Sequence, residues 1–228
     1  MTEDTTKLNT SKLGTKEYWD NFYALEKDNF ESNPDDTGEC WFSDSNAEEK
    51  MVEFLFDNLN EYAIHDQSSM VDIGTGNGHL LFTLREEGFK GQLLGIDYSE
   101  KSVEFARSIA EENDVDVEFE VVDIFSESWD PKVVDVVLDK GTLDAIALSG
   151  LQYNDKPVVE IYPHAIDKLM TKGSVFLITS CNFTEKELES IILQNKSLKL
   201  WKKVDYPSFQ FGGVKGSTIC TLAFVKQS

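Results

Sequence analysis

Val71-Asp72-Ile73-Gly74-Thr75-Gly76-Asn77-Gly78 is the stretch that decides the fold of this 228-residue chain. An apolar run that predicts a buried strand leads into three alternating glycines, and Leu80, Leu81 and Leu84 then follow with helical spacing. Glycine lets the backbone adopt positive φ and approach a ligand closely, at the sheet edge where α/β folds bind their ligands. The stretch therefore predicts a ligand-binding strand–turn–helix unit.

Strands and helices alternate downstream of this unit. Apolar runs predict strands at 92–96, 117–122, 133–138, 174–179, 198–206 and 218–225. Ser99 has the position of a helix N-cap, and Thr184 and Glu187 have capping-box spacing. This alternation is typical of an α/β protein with a mostly parallel sheet, and the last two runs predict an antiparallel hairpin at one edge.

The segment upstream of the glycine turn is expected to be helical over residues 17–62 and to cover the ligand site. Residues 28–39 and the first dozen residues have a loop-like composition. We therefore expect an N-terminal segment, 1–45, that is partly flexible and forms a helical cover, followed by one α/β domain, 46–228.

The spacing of acids around the glycines indicates which ligand the turn binds. Asp97 ends the second predicted strand, 19 residues beyond Gly78, where a carboxylate can accept both hydroxyls of a ribose. The pattern is GxGxG, whereas a dinucleotide site has GxGxxG, and Asp72 would repel a diphosphate but could orient water or an ammonium group. A nucleoside with a cationic amino-acid tail, such as S-adenosylmethionine, fits best; a plain strand–helix turn is the alternative.

Two sets of motifs resemble known families. Asp72–Gly78, Asp97, Val122-Asp123-Ile124 and Val134–Leu138 resemble the successive motifs of the class I methyltransferases, over roughly residues 50–228. Leu138-Asp139-Lys140-Gly141-Thr142-Leu143-Asp144-Ala145, together with Tyr18-Trp19-Asp20-x-x-Tyr23 and Gly38–Phe42, resembles the protein-lysine methyltransferases of translation elongation factor 1-alpha. The resemblance implies a Rossmann-like seven-stranded sheet with helices on both faces. It also implies methyl transfer from S-adenosylmethionine to a lysine of that factor, in the cytoplasm.

The resemblance also implies a cofactor site in which the glycines line the methionine part, Asp97 binds the ribose, and Asp123 and Ile124 hold the adenine. The candidate cofactor residues are Asp72, Gly74, Gly76, Asn77, Gly78, Asp97, Tyr98, Ser99, Asp123, Ile124 and Trp41. For Trp41, ordinary aromatic packing is the alternative.

The candidate substrate site follows the fourth predicted strand. Asp139, the one candidate catalytic residue, would position a cationic substrate by charge-assisted hydrogen bonds; no general base is assigned. The other candidates are Leu143, Asp144, and the aromatic pair Phe209 and Phe211, whose rings would desolvate a lysine amine. Solvated carboxylates and loop packing are the alternatives. DKGT replaces the (N/D)PP(Y/F) motif of the adenine methyltransferases, which disfavours an amino-purine target.

The composition of the chain limits the classes of partner that it is expected to bind. The chain has 42 acidic and 21 basic side chains, a net charge of −21, which disfavours direct nucleic-acid binding and favours a basic protein substrate. No apolar run approaches the roughly 18 residues of a membrane span. The three cysteines and three histidines show no metal-ligand spacing, so no metal is expected, and nothing requires more than a monomer. A small-molecule methyltransferase, or a non-catalytic cofactor-binding adaptor, remains an alternative.

Overall fold

The computed structural model of the protein describes residues 8–153, 155–207, 209–211, 214–216 and 219–227, the third and fourth of these ranges without their side chains. Two helices precede the sheet: α1 (Lys16–Ser32) and α2 (Ala47–Asp57). The first half of the sheet follows as β1 (Met70–Ile73), α3 (His79–Glu86), β2 (Leu93–Asp97), α4 (Glu100–Glu112), β3 (Glu118–Val121) and β4 (Val134–Lys140).

The second half contains elements that the apolar pattern did not predict. Among these are α5 (Thr142–Leu148) and the short strands β5 (Gln152–Tyr153) and β6 (Lys156–Pro157). They are followed by α6 (Val158–Asp167), β7 (Met170–Ser180), α7 (Glu185–Ile192), β8 (Leu198–Val204), β9 (Phe209–Phe211), β10 (Val214–Gly216) and β11 (Cys220–Lys226). The pattern did not predict β9 and β10 either, which lie between the last two predicted runs. Strand β7 begins four residues before the predicted run, because Met170 pairs with Val134 ahead of an irregularity in the ladder.

Seven strands form one sheet in the order β3-β2-β1-β4-β7-β11-β8. The pairs among β3, β2, β1, β4 and β7 are parallel, whereas β11 runs antiparallel to both β7 and β8. The prediction of a mostly parallel sheet with an antiparallel C-terminal edge hairpin is confirmed. The chain turns from one half of the sheet to the other between β1 and β4, and ligands of open α/β sheets bind at such a switch point.

Both faces of the sheet are covered by helices. Alternate side chains of β1 show this, since Val71 and Ile73 belong to one apolar cluster and Met70 to the other. The predicted caps are present: Ser99 accepts a hydrogen bond from the Ser102 amide over 3.2 Å, and Thr184 and Glu187 form a capping box. Each cap satisfies backbone donors that a helix start would otherwise leave unpaired.

The N-terminal helix lies against α4. Its Phe30 is buried against Phe105, with ring centroids 5.8 Å apart. This contact explains why α1 continues to Ser32, so the prediction of loop over the first part of 28–39 is wrong. Residues 1–7 lie outside the described part of the chain, and the boundary at residue 45 stays a prediction. None of the helices in the described ranges is long and apolar enough to cross a membrane.

Candidate active site

A cavity of about 710 Å³ opens at the carboxyl ends of the central strands, beneath the N-terminal cover. This volume is within the range of pockets that enclose a small organic ligand. Of the residues predicted for the cofactor and substrate, the cavity is lined by Trp41, Gly74, Asp97, Tyr98, Asp123, Ile124 and Asp144.

Asp97 ends β2, and its buried carboxylate organises the turn beside it. Its Oδ1 accepts the Ser99 amide over 2.9 Å and its Oδ2 accepts the Gly76 amide over 3.2 Å. Burial raises the pKa of Asp97, with a contribution from the charge of Asp20. The carboxylate is thus fixed at the cavity wall, where a pair of ligand hydroxyls can donate to it.

Asp123 and Ile124 lie after β3, at the same end of the cavity. The Asp123 carboxylate accepts the Phe125 amide over 2.9 Å, which fixes the turn that presents Ile124. Tyr98, 38% exposed, lines the cavity on the β2 side. Together they offer an apolar slot with a polar edge, which suits an adenine ring.

The three glycines of the turn all have positive φ, and their neighbours leave no room for side chains. A Cβ on Gly74 would lie 2.2 Å from Thr142 Oγ1, and one on Gly76 would lie 2.5 Å from the Tyr23 hydroxyl oxygen. A Cβ on Gly78 would approach the ring of Phe119 to 2.7 Å. Gly74 lines the cavity, whereas Gly76 and Gly78 let the turn pack beneath α1 and against β3.

Asn77 and Ser99 hold the N-terminal cover. Asn77 Nδ2 donates to the carbonyls of Thr37, over 2.9 Å, and Glu39, over 3.3 Å. Ser99 Oγ donates to Asp20 of α1 over 2.6 Å, in addition to capping α4. Neither side chain lines the cavity, and a direct contact of either with a cofactor stays a prediction.

Asp72 lies behind the glycine turn, buried and off the cavity wall. Burial raises the pKa of Asp72 to about 7, and the charge of Asp139 raises it further while Lys140 opposes this. Its predicted contact with the cofactor stays a prediction.

Asp139 is fully buried and does not line the cavity. Its carboxylate accepts the Thr142 amide over 2.7 Å, the Leu143 amide over 3.1 Å and the hydroxyl of Tyr162. Burial raises the pKa of Asp139 to about 7. Its geometry supports positioning of the first turn of α5, and Leu143, also buried, packs beneath that turn.

Asp144 lines the cavity from α5 and holds the end of β7. It accepts hydrogen bonds from Ser180 Oγ and from the amides of Cys181, over 2.8 Å, and Asn182, over 3.4 Å. Cys181 is exposed at the cavity. Desolvation and the Asp144 charge raise the pKa of this thiol to about 12, so it is neutral at pH 7 and a poor nucleophile.

Phe209 and Phe211 form β9, which pairs with β10. Their side chains lie outside the described part of the structure, so their predicted role stays a prediction. Among the described side chains, further aromatic residues line the cavity, namely Trp19, Tyr23, Phe42, Phe125 and Tyr153. The Tyr-Trp-x-x-x-Tyr and Trp-Phe motifs were the available sequence signal for most of these.

Cys40, Glu48 and His79 come together although their sequence spacing gave no sign of it. Their ligand atoms lie within 4.8 Å of one another, as a metal site would require. The Glu48 carboxylate is already engaged by His79 Nδ1, over 2.6 Å, and by the ammonium of Lys140, over 3.7 Å. A metal cation bound here would compete with the Lys140 ammonium for the Glu48 carboxylate.

The charge of the cavity fits a cationic adenosyl ligand. Among the residues that the structure describes, four carboxylates line it, from Asp97, Asp123, Glu127 and Asp144, against one ammonium, from Lys140. The buried Trp41 Nε1 has no hydrogen-bond partner among the described residues and lines the same cavity, so a donor is free for a ligand acceptor. A ribose at Asp97, an adenine at Asp123 and Ile124, and a cationic tail would account for the charge of the cavity.

Comparisons with known proteins agree with this geometry. Residues 64–213 match the family model described as a methyltransferase domain. The chain is 56% identical to "Protein-lysine N-methyltransferase EFM4" of Saccharomyces cerevisiae, over 99% of this chain and all of that protein. It is 36% identical to "EEF1A lysine methyltransferase 2" of Danio rerio, over 94% of this chain and 88% of that protein.

The fold has solved counterparts. Magnesium protoporphyrin IX methyltransferase from Synechocystis, solved with bound S-adenosylmethionine, superposes with a TM-score of 0.55 at 17% identity, over 90% of this chain and 97% of that one. This likeness concerns the Rossmann-like methyltransferase fold alone. The matched domain, the identity over the whole length and the fold together show that the chain belongs to the S-adenosylmethionine-dependent methyltransferases, within the family of protein-lysine N-methyltransferases.

Proposed function

We propose that the protein transfers a methyl group from S-adenosylmethionine to the ε-amine of a lysine in translation elongation factor 1-alpha. The observation that carries the target is the length over which the chain matches "EEF1A lysine methyltransferase 2", 94% of this chain at 36% identity. The match includes the N-terminal cover as well as the cofactor-binding half.

The cavity chemistry supports a lysine as acceptor. The bound cofactor supplies a sulfonium methyl, and transfer forms the N–C bond as the C–S bond breaks and leaves its electron pair on sulfur. The nucleophile must be a neutral amine, although lysine at its reference pKa of about 10.4 is mostly protonated at pH 7. The aromatic walls at Trp41 and Phe42 desolvate the amine and so favour its neutral form.

The protein's own part in transfer is therefore positioning. Asp97 fixes the ribose end, the Asp123–Ile124 turn fixes the adenine, and Asp144 holds the end of β7 beside the acceptor. Holding the amine in line with the methyl–sulfur bond supplies most of the rate enhancement. The amine releases its proton to water before attack, and we assign no general base.

The charge of the chain supports a basic protein partner. Its net charge is −21, and most of its acids precede residue 183, in the cover and the cofactor-binding half that surround the cavity. Opposite charge speeds association and orients the partner. We further propose that the enzyme works in the cytoplasm as a monomer, needs no metal, and makes no direct contact with nucleic acid.

The test is labelled S-adenosylmethionine added with the enzyme to a lysate of cells that lack it, followed by mass spectrometry of the labelled products. We expect one labelled lysine, on elongation factor 1-alpha, and no label with Gly76→Arg as the cofactor-site control. Label on metabolites alone would instead identify a small-molecule methyltransferase. Cofactor binding without any transfer would identify a non-catalytic adaptor.

A further inference from the structure

The backbone of Phe42 is held in an unfavourable conformation at the cavity wall. Its φ of 67° and ψ of 21° are left-handed, a region that is unfavourable for a bulky residue and in which such residues cluster at functional sites. Its ring lies against Gly141, where an added Cβ would be 2.7 Å from Cε2 of Phe42. The two motifs that resemble the lysine methyltransferases, Gly38–Phe42 and Leu138–Ala145, thus meet at this contact.

A buried ionic brace holds the neighbouring residue. Lys140 Nζ donates to the carbonyl of Trp41 over 3.1 Å and lies 3.7 Å from Glu48 Oε2. The other oxygen of Glu48 accepts Thr83 Oγ1 over 2.7 Å and contacts His79 Nδ1 over 2.6 Å. The Lys140 side chain is 12% exposed, so its charge is bound to the brace and is not free to react.

The ionisation of these groups is consistent with a charged brace. Burial raises the pKa of Glu48, but the hydrogen bond and charge of His79 and the charge of Lys140 outweigh this and lower it. Contacts with Cys40 and Glu48 raise the pKa of His79 to about 10. Glu48 is therefore ionised at pH 7 and faces two cations.

Sheet topology assigns the Phe42 wall to one end of the cavity. The residues that suit adenosine lie at the end of β2 and after β3. On the other side of β1, Lys140 ends β4, Gly141 and Asp144 follow it, and Asn182 follows β7. An adenosyl group held at the ends of β2 and β3 would direct its sulfur towards β4 and β7. Trp41 and Phe42 line that second end, because Lys140 donates to the Trp41 carbonyl and Gly141 contacts the Phe42 ring.

We propose that Phe42 is a specificity-determining wall of the channel that admits the target lysine, and that Lys140 is the positioning residue that holds this wall in place. The four-carbon arm of the lysine packs on the Phe42 ring, and the ring face stabilises the methylated cation. The proposal rests on the proposed function only in that a lysine is the acceptor, whichever protein carries it.

The test measures binding of a bisubstrate analogue, in which a nitrogen replaces the sulfur of S-adenosylhomocysteine and carries, through a two-carbon link, an amine that bears a four-carbon alkyl arm. Calorimetry compares it with S-adenosylhomocysteine, which lacks the arm. We expect the wild type to bind the analogue at least tenfold more tightly. Phe42→Gly should lose this gain and keep the affinity for S-adenosylhomocysteine within twofold. Glycine also relieves the left-handed backbone, so this variant should fold.

Lys140→Met should lose part of the gain and Lys140→Arg should restore it, since arginine can still reach the Trp41 carbonyl and Glu48. The matched control is Tyr62→Gly, because Tyr62 is also aromatic with positive φ, 49°, but packs on Trp201 away from the cavity. It should bind both ligands as the wild type does.

The proposal is overturned if the wild type binds the analogue no more tightly than S-adenosylhomocysteine. It is also overturned if Phe42→Gly still binds the analogue more tightly by the same factor, or if this variant loses affinity for both ligands equally. No protein substrate is present, so a failure here is separate from a failure to methylate elongation factor 1-alpha.

Discussion

The hydroxyl of Tyr23 lies directly over Gly76, so close that a Cβ on this glycine would be 2.5 Å from the hydroxyl oxygen. The contact joins α1 to the centre of the glycine turn, and Asp20 on the same helix binds Ser99 at the start of α4. The cofactor turn therefore takes its shape from the N-terminal helix as well as from its own glycines.

Gly76→Ala should weaken S-adenosylmethionine binding by at least tenfold, because both the positive φ of 60° and the contact with Tyr23 oppose a Cβ. Calorimetry measures the loss. Gly88→Ala is the matched control: Gly88 also has positive φ, 106°, but no atom lies within 4 Å of the added Cβ. It should cost about 1 kcal/mol of stability and leave binding intact. Equal losses of affinity for S-adenosylmethionine in Gly76→Ala and Gly88→Ala would refute a specific role for the Tyr23 contact.

Most of the fold could be predicted from the sequence, because β1, β2 and β4 are mainly apolar, and the glycine turn and the Ser99 and Thr184 caps mark the starts of helices. The sequence pattern failed to predict elements whose presence or length depends on packing between residues far apart in the chain. Helix α5 follows a left-handed Gly141 and is capped by Asp139, a side chain that the sequence indicated for substrate. Helix α1 continues through a polar stretch of sequence because Phe30 packs on Phe105.

Asp139→Ala should lower the free energy of unfolding by about 3–5 kcal/mol, because it leaves two amides and the Tyr162 hydroxyl without a buried acceptor at about 1–3 kcal/mol each. Urea denaturation measures this. Tyr162→Phe, which removes a single hydrogen bond, should lose less than half as much. Methylation by the folded fraction should also fall, with cofactor affinity within a few-fold. Loss of methylation at unchanged stability would instead make Asp139 a direct substrate contact.

Asp72→Asn should flatten the pH dependence of stability. Burial raises the pKa of Asp72 from its ordinary 3.8 to about 7, so between these values the folded state holds a proton that the unfolded state has released. This group therefore makes the protein less stable as pH rises from 4 to 7, by up to about 4 kcal/mol. Urea denaturation at pH 5 and pH 8 measures the difference.

The control for this pair of measurements is Asp57→Asn, an exposed position at the end of α2. It should keep the difference of the wild type between the two pH values. If the free energy of unfolding of Asp72→Asn differs between pH 5 and pH 8 by as much as that of the wild type, Asp72 is ionised throughout this range.

Raising the salt concentration from 50 to 500 mM should increase KM for elongation factor 1-alpha several-fold and leave kcat nearly unchanged, because salt screens attraction between the acidic enzyme and a basic partner. Steady-state kinetics at saturating cofactor measure both. Cofactor affinity in the same buffers is the internal control. A KM independent of salt would remove electrostatic recruitment from the account.

The sequence predicted those site residues that a motif places at the end of a strand. It did not predict contacts between side chains that are far apart in the sequence. Asp97, Asp123 and Ile124 line the cavity as their positions after β2 and β3 indicated. Asn77 and Ser99 bind the N-terminal cover, a partner that no local spacing reveals. The Lys140–Trp41 hydrogen bond joins residues 99 positions apart, and only the folded chain brings them together.

The most direct measurement is site-resolved mass spectrometry of elongation factor 1-alpha from cells that lack the enzyme, complemented with the wild type or with Gly76→Arg. The account predicts that one lysine loses its methylation in the deficient cells and regains it with the wild type alone. Methylation that is unchanged at every lysine of the factor, with the wild-type protein present or absent, would contradict it.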